Sequence, residues 1–407
     1  MTSRAGAAWR ERDARLLLAS QAVSVLGDGI GNVAFALLVL DVTHSPADLG
    51  WFSAARLVPM VALLLLGGAL VDRVSRRALM VWSDLGRGSA TLVIALLAGA
   101  HRLTLTEFLI FSVVFGSFDA LFTPALGALI PDIVSEPLLA SLNASRSLST
   151  LLAGQLIGPA LGGVLSAVSS AGAVGVDGVT FFISALGLMA LRVTSRAHSS
   201  PSSASLWRDV REGLAYVRRT PWIWITLLVV SLINGILFSP SSVVATVLLR
   251  HTLHASKAAV GVVIAVGGLG GALGALAIGR LGSPRRRVRV IWLAWSVAAL
   301  ASALVAVAPS AAVVAVGFFA ASPGIVIGNV IWESMMQSEV PRELLGRVTS
   351  VDWLLSLGLS PLGIALAGVL SQRVGPRWYL GVASAVSVTA GVLVLGSRRA
   401  HSVDRDR

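Results

Sequence analysis

Long apolar runs separated by short polar stretches make up most of the chain. Twelve runs stand out, and they predict helices over 16–40, 49–71, 78–100, 107–127, 143–168, 174–193, 222–249, 258–279, 290–308, 311–333, 347–370 and 378–397. A helix crosses a bilayer core with about 20 apolar residues. In hydrocarbon only a helix or a closed barrel satisfies its own backbone, so runs of this length predict transmembrane helices. The first run is too long for the core of a signal peptide and has no clear cleavage site, which makes it a retained span. The pattern changes between runs six and seven. A Ser/Pro stretch, Ser199 to Ser205, precedes a segment with Leu206, Val210, Leu214 and Val217 on one helical face and Arg208, Arg211, Arg218 and Arg219 elsewhere. That suits a helix on the inner leaflet, and equally a linker helix packed on the protein. The expected organisation is a six-helix half over 1–193, a cytoplasmic linker over 194–221 and a second six-helix half over 222–407.

Polar residues inside the runs fall on helical faces. Gln21, Asp28 and Asn32 share one face of span one, and Ser112, Gly116, Asp119 and Thr123 one face of span four. Span seven carries Ser231, Asn234 and Ser241, and span ten Ser322, Asn329 and Glu333. A charge at the bilayer centre costs about 2.5–3.5 kcal/mol on insertion scales, so these residues are expected to face protein or water. Asp28 is the first candidate for a proton or cation site and Asp119 the second. The alternative for each is a satisfied interhelical hydrogen bonder. Arg56, in the outer part of span two, can neutralise Asp28, bind an anion or reach outward to the interface. Asp84 and Arg87 are three apart in span three and are expected to pair with each other or with the loop after span two, in a structural role. Arg146 and Asp352 occupy equivalent places in the two halves, near the inner ends of spans five and eleven, where the candidate pairing between them is direct or through the loop.

Composition agrees with the pattern. Of 407 residues, 55% are hydrophobic and 13% charged, against about 25% charged in soluble domains. The net charge of +12 does not point to nucleic acid, because the bases lie scattered at span ends with no contiguous basic face. Their distribution sets topology instead. With the N-terminus inside, 25 of the 32 Lys and Arg residues fall on the inner side and 5 on the outer side. Trp51, Trp82, Trp222, Trp292, Trp332 and Trp378 lie near span ends, as an interfacial belt would place them. The absence of cysteine excludes disulfides, thiolate metal sites and thiol nucleophiles. The six histidines are expected in loops or tails, and neither a metal constellation nor a Gly-rich Lys-Ser/Thr phosphate loop appears, so no enzyme and no cofactor is expected.

The halves repeat. Val134, Leu138 and Leu139 match Val340, Leu344 and Leu345 at an offset of 206 residues, and Gly163-Val164-Leu165-Ser166 matches Gly368-Val369-Leu370-Ser371. Such parallel repeats are a feature of transporters built from two halves.

Two motifs carry a family resemblance. Gly68-Ala-Leu-Val-Asp72-Arg73-Val-Ser75-Arg76-Arg77 resembles the signature loop of the major facilitator superfamily, with Ser75 in place of the usual second glycine. A small Gly68 lets spans approach closely, and Asp72 suits a helix N-terminus. The resemblance implies that the arginines form a cytoplasmic gate between halves. Gly154-Gln-Leu-Ile-Gly158-Pro159-Ala-Leu-Gly162-Gly163 resembles the antiporter motif of that superfamily's exporters. Gly158 and Gly162 share a face that admits a neighbouring helix, and Pro159 can kink its own. The stretches around Pro131-Asp132, Arg211 to Arg219 and Val340 to Arg347 are similar to the enterobactin-exporter and macrolide-efflux-like branch.

The resemblance implies an all-α membrane protein of the major facilitator fold, with twelve transmembrane helices in two six-helix halves. Spans one, four, seven and ten would line its cavity. The implied function is proton-coupled export of lipophilic small molecules such as drugs, macrolides or siderophore-like metabolites, by a monomer in the inner (plasma) membrane with both termini cytoplasmic. Its partners would be a small-molecule substrate, protons and the lipid bilayer. Span four departs from many proton-coupled relatives in carrying Asp119 and no arginine. An uptake permease and a non-transporting sensor on the same fold are the rival readings.

Overall fold

A computed structural model of the protein describes residues 7–63, 75–192, 206–282 and 284–404. Among them the chain is helical, without strands. The helices run α1 (Arg12–Thr43), α2 (Pro46–Leu63), α3 (Arg76–Gly99), α4 (Leu105–Ile133), α5 (Glu136–Val168) and α6 (Ser170–Met189). After α7 (Leu206–Arg219) come α8 (Pro221–Thr252), α9 (Lys257–Leu281), α10 (Arg287–Val307), α11 (Ala311–Glu339), α12 (Arg342–Val374) and α13 (Pro376–Gly396). Eleven of these are long and apolar enough to cross a membrane, and α2 runs up to the edge of the described residues. Apart from α7, they match the twelve apolar runs of the sequence one for one.

Local chemistry sets many of the ends. The α1 helix stops at His44, whose left-handed backbone (φ 54°) lets its N–H bond Leu40 O at 3.0 Å. A capping box of Thr104 and Glu107 opens α4, and the Ser169 hydroxyl accepts from Gly172 N at 2.9 Å to open α6. Pro221 and Pro376 stand in the first turns of α8 and α13, where a missing N–H costs nothing. Helices extend beyond the apolar runs: α12 starts at Arg342 and α11 continues to Glu339, because intrahelical bonding continues where the hydrocarbon ends. His251 lies in the last turn of α8, in a helix end and not in a loop.

Contacts group the chain into two compact units. The first contains Met1–His44, Ala55–Pro201 and Ser256–Ala265; the second contains Ser45–Ala54, Ser202–Ala255 and Val266–Arg407. In the first, α1 packs on α5 and α6, and α3 on α4 and α6. The start of α9 joins this unit because Gly261 meets Gly163 of α5: a Cβ on either glycine would lie 2.9 Å from the other's Cα. In the second unit α10 packs on α11 and α13, and Gly50 of α2 meets Gly368 of α12 in the same way. Small residues let backbones approach this closely, which drives helix association where no hydrophobic effect can.

The second unit buries Trp222, Trp292 and Trp332 in its core, with the Trp222 and Trp332 rings edge-on at 5.6 Å. This corrects the expectation of an interfacial belt for these three; Trp51, Trp82 and Trp378 are exposed. Position along a span gives depth, not which face a ring occupies. The α7 helix packs on α12 of the same unit. Val217 is buried in that core, Glu212 pairs with Arg347, and Gly213 lies against the Arg347 backbone.

Candidate functional site

The antiporter-like motif shapes the α1–α5 crossing. Residues Thr150–Ile157 form a π-helical stretch just before Pro159, which has no N–H to give and crowds the preceding turn. The α-helix resumes at Gly158. Gly158 faces Gly29 so closely that a Cβ would sit 2.8 Å from the Gly29 Cα, and Gly162 lies against Ile30. Gly154 abuts Val25, completing a stripe that lays α5 along the length of α1 beside Asp28.

Six charged side chains of the first unit form one network. Arg87 of α3 donates to Asp84 at 2.6 Å and to Asp119 of α4 at 2.8 Å. Its guanidinium also stacks over Phe122 and Phe181, 4.5 and 4.6 Å from their ring centres. Arg56 of α2 lies 4.0 Å over Phe115 and donates to Asn32 of α1 at 3.4 Å. Arg87, Asp119, Arg56 and Asp84 all act electrostatically on Asp28. Asp28, Asn32, Arg56 and Asp119 therefore come together, with Asp84 and Arg87 added. Arg56 takes Asn32 as its hydrogen-bond partner.

The sixth member, Asp177 of α6, was not among the sequence candidates. It is 2% exposed, and its Oδ1 has no hydrogen-bond partner. Two glycines of α1 make room for it: a Cβ on Gly27 would lie 2.8 Å from its Oδ1, and one on Gly31 2.7 Å from its carboxyl carbon. Asp28, Arg56 and Arg87 act on it electrostatically. An aspartate within the sixth apolar run was the available signal. Gln21 is also buried, two helical turns from Asp28 along α1.

Of the signature loop, Gly68, Asp72 and Arg73 lie outside the described residues. Arg76 donates to Asp132 and to Ala128 O, both at 2.9 Å, and Arg77 to Leu188 O and Met189 O. These bases tie α3 to α4 and α6 within their own unit. Arg146 donates to Asn143, while Asp352 accepts from Trp332 and Ser356. In the second unit Asn234 and Asn329 line a separate cavity of about 350 Å³ together with Asp352 and Glu333.

Paired Gly-packed crossings and charges shared between helices of membrane-spanning length are features of polytopic membrane proteins. The Major Facilitator Superfamily profile matches residues 17–356, and the chain belongs to that family. It is 26% identical to the multidrug efflux pump Tap of Mycolicibacterium fortuitum, with 96% of each chain covered. It is 22% identical to macrolide efflux protein A of Streptococcus pyogenes, over 89% of this chain and 90% of that one. Its fold is similar to that of the nucleoside transporter NupG (TM-score 0.74, 11% identity, 94% of this chain and 98% of that chain). It is also similar to a bacterial homologue of the iron transporter ferroportin (TM-score 0.73, 18% identity, 95% and 99%).

Proposed function

We propose that the protein is a proton-coupled exporter of lipophilic small molecules, drugs and macrolides among them, acting by alternating access. One observation carries the reading. Four carboxylates, Asp28, Asp84, Asp119 and Asp177, share two guanidiniums, Arg56 and Arg87, inside the membrane-spanning helices of one unit. Buried charge demands compensation. The excess carboxylates are met by protons or by a cation, which makes the cluster a place where one can be exchanged.

Within the reading, Asp28 is the exchanging acid. It lies on the helix that α5 crosses at Gly158, so sliding of α1 against α5 would alter its surroundings. Asp119, partly exposed and held by Arg87, links Asp28 and Asp84 electrostatically. Its similarity to multidrug and macrolide efflux proteins supports the direction of transport. The working form is a monomer in the inner membrane; its termini are cytoplasmic, an orientation that the arginine asymmetry supports.

The test is accumulation of a labelled macrolide in inverted membrane vesicles with an acidic lumen. Gradient-dependent accumulation that a protonophore abolishes is the expected result. Accumulation only in right-side-out vesicles with acid outside would replace export by uptake.

A further inference from the structure

The linker helix α7 turns Gly213 and Val217 toward the protein and leaves Arg218 and Arg219 exposed. With Val217 spent on the protein core, contact of this end of the helix with a membrane has to be made by its charges. The C-terminal tail, residues 397–404, reaches the same end of the second unit, and it is packed there. His401 Nδ1 lies 2.9 Å from Ser397 O, and Ala400 is fully buried. Asp404 accepts from Val288 N and Arg289 N, both at 3.3 Å, and so caps the first turn of α10. The turn Ser402–Asp404 packs on α8 as well as on α10. Val217 of α7, Val288 of α10 and Ala400 of the tail belong to one buried cluster.

Exposed arginines flank each of these three buried residues in the chain. Arg218 and Arg219 follow Val217, Arg286 and Arg289 bracket Val288, and Arg398 and Arg399 precede Ala400. Burying the cluster gathers six guanidiniums from three distant stretches of chain at one end of one unit. Acids of this end are engaged elsewhere: Glu212 pairs with Arg347, Glu339 with Arg287, and Asp404 is taken up by backbone N–H groups. Exposed apolar surface continues from the bases along the same helices. On α10, Leu293, Val297 and Leu300 follow Arg289 at helical spacing, all exposed. On α13, Val382, Val386 and Leu393 run exposed toward Arg398. A ligand that matches this surface has an anionic head and acyl chains. Guanidiniums hold phosphate through paired N–H donors, and clusters of about four to eight bases beside membrane helices retain anionic lipid.

We propose that this arginine crown is a binding site for an anionic phospholipid of the leaflet at this end of the helices, and that the docked C-terminal tail completes it. The lipid phosphate meets the guanidiniums and its chains lie along the apolar faces of α10 and α13. A nucleic acid would match the bases and leave those faces bare. Bound lipid ties α7, α10 and the tail together, so it steadies one end of the second unit. The proposal goes beyond the exporter reading and does not depend on the direction or the coupling of transport.

The experiment is native mass spectrometry of the full-length protein in detergent, titrated with dioleoylphosphatidylglycerol or with dioleoylphosphatidylcholine. The second lipid has the same chains and a phosphate but no net charge. Wild type should bind its first phosphatidylglycerol at least tenfold more tightly than phosphatidylcholine, and soluble glycerol phosphate should not displace it. Arg289→Gln and Arg399→Gln should each weaken phosphatidylglycerol binding at least threefold. Arg373→Gln, an exposed base at the far end of α12, should leave it unchanged. Asp404→Ala separates a built site from bare net charge. Removing an acid strengthens anion binding if charge alone matters, whereas release of the tail should weaken it at least threefold. The arginine variants change exposed groups and should melt as wild type does, so they decide the matter should Asp404→Ala fold poorly. Equal binding of the two lipids by wild type would overturn the site, as would equal weakening by Arg373→Gln. Displacement by glycerol phosphate would overturn the lipid assignment, and tighter binding by Asp404→Ala the part given to the tail.

Discussion

Arg87 of α3 and Asp119 of α4 are 32 residues apart in the chain and 2.8 Å apart in the fold. The same guanidinium holds Asp84 one turn earlier on its own helix, so a single buried cation, 3% exposed, serves two carboxylates. Removing one partner of a buried pair leaves an uncompensated charge, typically at a cost of about 3–5 kcal/mol. Arg87→Met is therefore expected to lower the melting temperature in detergent markedly. Adding Asp84→Asn should recover part of the loss, since it removes the more deeply buried of the two orphaned charges. A double variant no more stable than Arg87→Met would show that Asp84 needs no counter-charge.

The α1–α5 crossing tolerates no side chain at Gly158, where a Cβ would meet both the Gly29 Cα at 2.8 Å and Leu26 O at 2.9 Å. Both atoms are backbone and neither can rotate aside. Gly158→Ala is expected to reduce transport at least tenfold, and Gly158→Leu to prevent stable assembly. Gly127, on α4, has nothing within 4 Å of such a Cβ and should accept alanine with little effect. Expression level, gel-filtration profile and transport of the three variants decide the matter.

Lys257, the only lysine of the chain, lies 2.5 Å from Asp41, and Ser170 joins both, donating to Asp41 at 2.8 Å and accepting from Lys257 at 2.9 Å. The pair is partly solvated, so its worth is about 1 kcal/mol or less. Lys257→Gln should cost little stability, and reversal of both charges (Asp41→Lys with Lys257→Asp) should behave closer to wild type than either single reversal. A double reversal as poor as the worse single variant would mean that the pair is not what holds the start of α9 to α1.

Much of this arrangement was legible in the sequence, for identifiable reasons. Apolar runs of bilayer length specify spans, and every span has its helix. Ends were less legible, since a helix such as α12, starting at Arg342, continues past the apolar stretch through polar residues. Asp28, Arg56 and Asp119 stood out because charge within a span is costly. The link from Arg87 to Asp119 was not readable, because helix packing and not sequence spacing brings them together. Asp177 lies outside the polar stripes of spans one, four, seven and ten and enters the network from span six, against Gly27 and Gly31. Trp222, Trp292 and Trp332 sit in the core and not in an interfacial belt for a related reason: hydropathy does not distinguish a ring facing lipid from one facing protein.

The central claim is that Asp28 couples proton movement to export. It is tested most directly by recording lumenal pH in inverted vesicles that hold an imposed acid-inside gradient, while a transported macrolide or aromatic cation is added. Wild-type protein should release lumenal protons in proportion to the added compound. Asp28→Asn, which keeps the size of the side chain and removes its exchangeable charge, should release at least tenfold fewer while the protein remains folded. Proton release by Asp28→Asn equal to that of wild type would contradict the account.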